Sequence, residues 1–120
     1  MKFNWCTISV NDIDESVKFY QDIVGLSIDR RFKAGPDIEI CFMGSGETKI
    51  ELIMDKGHKA PGNIQGISIG FETDSVDRLL EFVKSRGIAV DSGPVQPNPH
   101  LRFFFVKDPN GLRIQFAENL

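Results

Sequence analysis

The sequence predicts an α+β fold made of two tandem β-α-β-β-β modules within one domain of 120 residues. Three observations carry that reading. Twice, a short alternating apolar run leads into a capped amphipathic segment that stops on a glycine. Twice, three strand-like segments follow it. And twice the module closes through a turn-rich hairpin on a similar strand, Ile50-Glu51-Leu52 in one half and Ile114-Gln115-Phe116 in the other. Internal repetition of this kind marks a duplicated supersecondary unit. A lone four-stranded sheet with one helix leaves an apolar face uncovered, so the modules are expected to pack together.

Taken in order, Phe3 to Val10 alternates as a strand does. Asp12 is placed to cap the following helix, with Glu15 three residues on as its capping-box partner. Val17, Tyr20 and Val24 recur at helical spacing, and Gly25 stops the helix as glycine does after a last turn. Strands are expected at Leu26–Phe32, Ile38–Met43 and Thr48–Met54, with Gly44-Ser45-Gly46 turning the last pair. Residues 56–63, containing Gly57, Pro61 and Gly62, read as a linker between module one (1–55) and module two (64–120). The second module opens with Ile67–Thr73. Asp74 or Ser75 then caps a helix whose apolar stripe is Val76, Leu79, Leu80 and Val83. Lys84 and Arg86 suit the negative end of the helix dipole, and Gly87 ends it. Strands follow at Ile88–Ser92, Arg102–Lys107 and Leu112–Ala117, the last two joined by Asp108-Pro109-Asn110-Gly111. The stretch holding Pro94, Pro97 and Pro99 reads as a loop.

Composition narrows the function classes. The 14 basic and 17 acidic side chains leave a formal charge of −3, which disfavours nucleic acid or an anionic membrane as the main partner, because each calls for a concentrated basic surface. Arg30, Arg31 and Lys33 are interleaved with Asp29 and followed by Asp37, and read as a solvated strand end. No apolar run approaches the ~20 residues that span a bilayer. Cys6 and Cys41 form no disulfide framework; each sits in an apolar run as a small core residue. A soluble cytoplasmic protein with reduced thiols is expected.

The stretch Val10-Asn11-Asp12-Ile13, Ser16, Phe19-Tyr20, Gly25-Leu26 resembles the opening signature of the vicinal oxygen chelate superfamily, which includes glyoxalase I, extradiol dioxygenases and the fosfomycin- and bleomycin-resistance proteins. Asp108-Pro109-Asn110-Gly111, Ile114-Gln115-Phe116 is similar to its closing signature. The resemblance covers essentially the whole chain. It implies paired βαβββ modules in a curved mixed sheet around a cavity, commonly completed in a homodimer. It also implies metal ligands at four places, two on the first strands and two on the last. Carried over, those positions are Trp5, Glu51, Ser68 and Gln115. Only Glu51 is an ordinary ligand for a divalent ion; Gln115 and Ser68 are weak neutral donors, and the Trp5 indole offers no lone pair. Catalytic metal sites ordinarily use three protein ligands of imidazole or carboxylate character. His58 falls in the linker and His100 in the proline-rich loop, both surface contexts. No metal and no cofactor is therefore expected.

By strand alternation Lys49, Glu51 and Ile53 share one face, as do Arg113, Gln115 and Ala117. The resemblance points these faces, with Trp5 and Ser68, into the cavity. Such a lining suits a polar or aromatic small molecule held by stacking and directed hydrogen bonds. The competing reading has Lys49 and Glu51 paired with neighbours and Trp5 plugging the sheet. Phe103-Phe104-Phe105 makes both faces of its strand apolar, one for the core and one for a helix or a dimer partner. No Gly-x-Ser-x-Gly elbow is present, which leaves Glu51 as the one candidate catalytic group, a general base. The expectation is a metal-independent small-molecule-binding homodimer resembling the bleomycin-resistance type. The alternatives are a glyoxalase I-like lyase or isomerase using Glu51 as general base, with or without a weakly bound divalent metal, or an interaction module whose pocket is filled by its own side chains.

Overall fold

The structure, a computed structural model, describes Met1 to Leu120 in ten elements: β1 (Trp5–Ser9), α1 (Ile13–Asp22), β2 (Ile28–Lys33), β3 (Ile38–Met43), β4 (Lys49–Asp55), β5 (Ser68–Glu72), α2 (Val76–Ser85), β6 (Val90–Asn98), β7 (Leu101–Lys107) and β8 (Arg113–Asn119). They form two compact units, Met1–Gly62 and Asn63–Leu120. Each unit is a four-stranded mixed sheet with one helix, in strand order β1-β4-β3-β2 and β5-β8-β7-β6. The first strand of each runs parallel to the last, and the other pairings are antiparallel. No helix is long and apolar enough to cross a membrane.

The helices start where capping chemistry places them. The Asp12 carboxylate accepts from the Glu15 amide at 3.1 Å, and the Ser75 hydroxyl accepts from the Arg78 amide at 3.2 Å. α2 ends in a full Schellman turn: the Gly87 amide donates to the Lys84 carbonyl and the Ile88 amide to the Val83 carbonyl, with Gly87 at φ +74°. α1 ends more loosely. Gly25 also takes a positive φ, but the closing bond runs from the Leu26 amide to the Tyr20 carbonyl, one residue wider.

Under α1, which buries Ile13, Val17, Phe19 and Tyr20, lie Ile8, Ile50, Leu52, Cys41 and Met43. Under α2, which buries Val76, Leu80 and Val83, lie Phe104, Val106, Ile114 and Phe116. Burial pushes the Cys41 thiol up, with Arg31 opposing, so Cys41 is a neutral core residue. The segment read as a linker is fastened back onto the first unit: the Ala60 amide donates to the Asn11 side chain at 2.8 Å, and Ala60 is buried.

One element departs from expectation. The Pro94 and Pro97 stretch is not a loop; β6 runs on through Asn98 and pairs with β7 through several register shifts. Both prolines are tolerated because β6 is an edge strand, where a missing N–H need not break a ladder. Gly93 makes the extension possible. Its φ is +89°, and a Cβ there would sit 3.0 Å from the Phe103 carbonyl oxygen. His100 occupies the tight turn between β6 and β7. The basic cluster on β2 is also more engaged than a solvated end. Arg31 bridges Asp14 on α1 at 2.6 Å and Glu39 at 2.7 Å, and both carboxylates hold its guanidinium in the charged form.

Candidate functional site

Side-chain alternation sends half of each sheet toward its helix and half to the opposite, helix-free face. In the first unit register fixes what meets there. Trp5 pairs with Lys49, Thr7 with Glu51, Glu51 with Phe42, and Phe42 with Arg30. One row across four strands therefore reads Thr7, Glu51, Phe42, Arg30. The Thr7 hydroxyl donates to Glu51 Oε1 at 2.5 Å. The Arg30 guanidinium lies 4.5 Å over the Phe42 ring, and Trp5 meets the same ring edge-on at 5.3 Å. Phe32 stacks alongside at 6.4 Å. Phe42 is thereby buried from the helix-free side, whereas Trp5 stays 47% exposed and does not plug the sheet. Lys49 turns away from the row, its Nζ donating to the Gly46 carbonyl at 3.0 Å.

The second unit repeats the register with different chemistry. Ser68 pairs with Arg113 and Gly70 with Gln115; across the sheet, Arg113 faces Lys107 and Gln115 faces Phe105. The Gln115 Oε1 lies 3.4 Å from where a Gly70 Cβ would be, so the absence of a side chain gives the amide its place. Arg113 stacks on Phe105 at 3.9 Å and donates from Nε to Asp91 at 3.0 Å and from Nη2 to Ser92 at 3.3 Å. Lys107 Nζ approaches the other Asp91 oxygen at 3.7 Å. Arg113, Asp91 and Lys107 border a cleft of about 400 Å³ that also takes in Ser68 and residues 63–67.

The six residues singled out from sequence thus fall into two sets of three, Trp5, Lys49 and Glu51 on one face and Ser68, Arg113 and Gln115 on the other. Thr7, Phe42, Arg30, Phe105 and Asp91 were missed. Alternation within β3 and β7 flags the two phenylalanines, but only register reveals which residues they stand beside.

The residue model of the Glyoxalase/Bleomycin resistance protein/Dioxygenase superfamily matches residues 2–116. The chain belongs to that superfamily. It is 30% identical to a lactoylglutathione lyase of Haemophilus influenzae, over 93% of this chain and 88% of the relative. The fold is similar to that of the trypanothione-dependent glyoxalase I of Leishmania major, with a TM-score of 0.85, 22% identity, and 98% and 86% of the two chains covered. It is likewise similar to TnmS3, an antibiotic-binding protein from a Streptomyces species, with a TM-score of 0.80, 24% identity, and 100% and 97% covered.

In this chain Trp5 precedes the row of Glu51 by one pair, and Ser68 stands in the same relation to Gln115. The four positions are thus structurally matched, but their donors do not suit a divalent ion. One is an indole, two are neutral oxygens, and the single carboxylate already accepts from Thr7. No three His, Cys, Asp or Glu side chains converge elsewhere. His58 is exposed, 4.0 Å from Asp55.

Proposed function

We propose that this superfamily member is a metal-independent binding protein that holds a small polar or aromatic molecule, acting as a cytoplasmic homodimer. The observation that carries the reading is the substitution of a metal-binding constellation by an aromatic, cation-capped surface. Around Glu51 stand Trp5, Phe42, Phe32 and Arg30 rather than imidazoles. Such a surface stacks a flat ligand and leaves the carboxylate to accept a hydrogen bond from it. The fold likeness to an antibiotic-binding protein supports the same reading.

A second reading is favoured by the 30% identity to a lactoylglutathione lyase. Here Glu51 is a general base that removes a proton from carbon next to a carbonyl in an α-ketoaldehyde–thiol adduct. Thr7 would position it.

Trp5 is the single tryptophan of the chain, so its fluorescence reports this face alone. Aromatic ligands are expected to quench it saturably, and Trp5→Ala to weaken their binding about tenfold, the loss of a stacking anchor. Turnover of the thiol adduct that disappears in Glu51→Gln, with no ligand quenching Trp5, would replace the binding reading with the lyase.

A further inference from the structure

We infer that the cleft of the second unit is an oxyanion subsite, built around Arg113, that takes the carboxylate or phosphate group of a small anion. The inference goes beyond the binding reading above and concerns the second unit alone.

The row Ser68, Arg113, Lys107 crosses three adjacent strands, so the hydroxyl, guanidinium and ammonium stand on one rung of the sheet. Asp91 reaches the same place from the edge strand β6. These three charged groups are the only ones in the cleft lining, and two cations face one carboxylate. The site is left with a net positive charge.

Arg113 is held rather than free. Its ring-facing side rests on Phe105, and the fork formed by Nε and Nη2 is occupied by Asp91 and Ser92. A guanidinium carries five N–H donors in a rigid plane. With that fork engaged, the end-on pair on Nη1 and Nη2 is unused, and it matches the spacing of two oxygens on a carboxylate or phosphate. Preorganisation of this kind removes the ordering cost that a loose surface arginine meets on binding. Lys107 adds a point charge, and Ser68 a hydroxyl donor. A purely structural arginine pinning β6 would need neither the second cation nor the open cleft beside it.

The test uses the whole chain labelled with nitrogen-15, titrated separately with inorganic phosphate, with benzoate, and with benzyl alcohol as the neutral ring. Phosphate and benzoate are expected to shift the Arg113 Nε signal and the amides of Gly66 to Ser68. Arg113→Gln should weaken both about tenfold or more, as loss of a charged hydrogen-bond pair does. Lys107→Gln, a milder change on a half-exposed side chain, should weaken them several-fold. The ratio of the two affinities identifies which oxyanion the site prefers. Benzyl alcohol should leave Arg113 unmoved. Arg113 signals that hold still under both anions, or Arg113→Gln protein that binds them unchanged, would overturn the subsite and leave Arg113 as a strut for β6. Trp5 fluorescence, read in the same titrations, separates the two claims. Anion shifts at Arg113 with no aromatic quenching of Trp5 would sustain the subsite and refute the aromatic face.

Discussion

The two units share a scaffold and differ on one surface. Toward the helix each buries a comparable layer: Ile50 and Leu52 of β4 correspond by register to Ile114 and Phe116 of β8, and all four are buried. On the helix-free face the rows read Thr7, Glu51, Phe42, Arg30 in the first unit and Gly70, Gln115, Phe105, Ser92 in the second. Both set a guanidinium over the central phenylalanine, yet from different places: Arg30 reaches across from β2, Arg113 from the neighbouring rung of β8. Folding constrains the helix side, because a cavity there is costly. The other side answers to ligand chemistry, and there the repeat has diverged into an aromatic face with a carboxylate and a cationic cleft.

The first way to break this comparison is to remove equivalent core groups. Leu52→Ala and Phe116→Ala should each cost about 2–5 kcal/mol, in denaturant unfolding followed by circular dichroism, since both side chains are fully enclosed. A loss under about 1 kcal/mol in one unit alone would mean that its helix-side layer is not packed like the other.

A sharper contrast lies between the edge strands. β2 pairs with β3 through one register shift and contains no glycine, whereas β6 absorbs three shifts and turns on Gly93. Gly93→Ala would force an L residue to φ +89° with its Cβ at 3.0 Å from one backbone oxygen and 3.1 Å from the Phe104 Cα. A destabilisation of about 2 kcal/mol or more is expected, combining the backbone cost with the clash. If the variant is as stable as the parent, β6 does not need the close approach, and the placement of Asp91 beside Arg113 has to come from elsewhere.

That same strand marks the limit of what could be read from sequence. Caps, stop glycines, the strand count and the closing hairpins follow from local chemistry, because Asp12, Ser75, Gly25 and Gly87 act on their own neighbours. Pro94 and Pro97 also act locally, and locally they say loop; only their position at a sheet edge makes them compatible with a strand. The site divides along the same line. Alternation along a single strand places Lys49 with Glu51 and Arg113 with Gln115. It gives no register, so it cannot say that Glu51 stands between Thr7 and Phe42, or that Lys49 is drawn off to Gly46. Ligand-bearing surfaces are assembled across strands, and one sequence without register leaves those neighbours unread.

The smallest expected difference is at the helix starts. Asp12 carries its cap alone in the first unit, through the bond from the Glu15 amide. In the second, Ser75 holds the Arg78 amide, and the Glu118 carboxylate of β8 takes the Val76 amide at 3.1 Å. A cap-to-alanine change leaves otherwise orphaned N–H groups, at a cost of about 0.5–2 kcal/mol. Asp12→Ala loses its only side-chain acceptor together with a charge that suits the positive end of the helix. Ser75→Ala loses one acceptor of two. Asp12→Ala should therefore cost about 1 kcal/mol and Ser75→Ala nearer 0.5 kcal/mol, measured by the shift in urea midpoint at constant slope. Removing the Glu118 acceptor as well, in Ser75→Ala with Glu118→Ala, should bring the loss in the second unit up to that of Asp12→Ala. Were Ser75→Ala alone the costlier change, the carboxylate of β8 would not be sharing the cap, and the two helix starts would differ only in the identity of one residue.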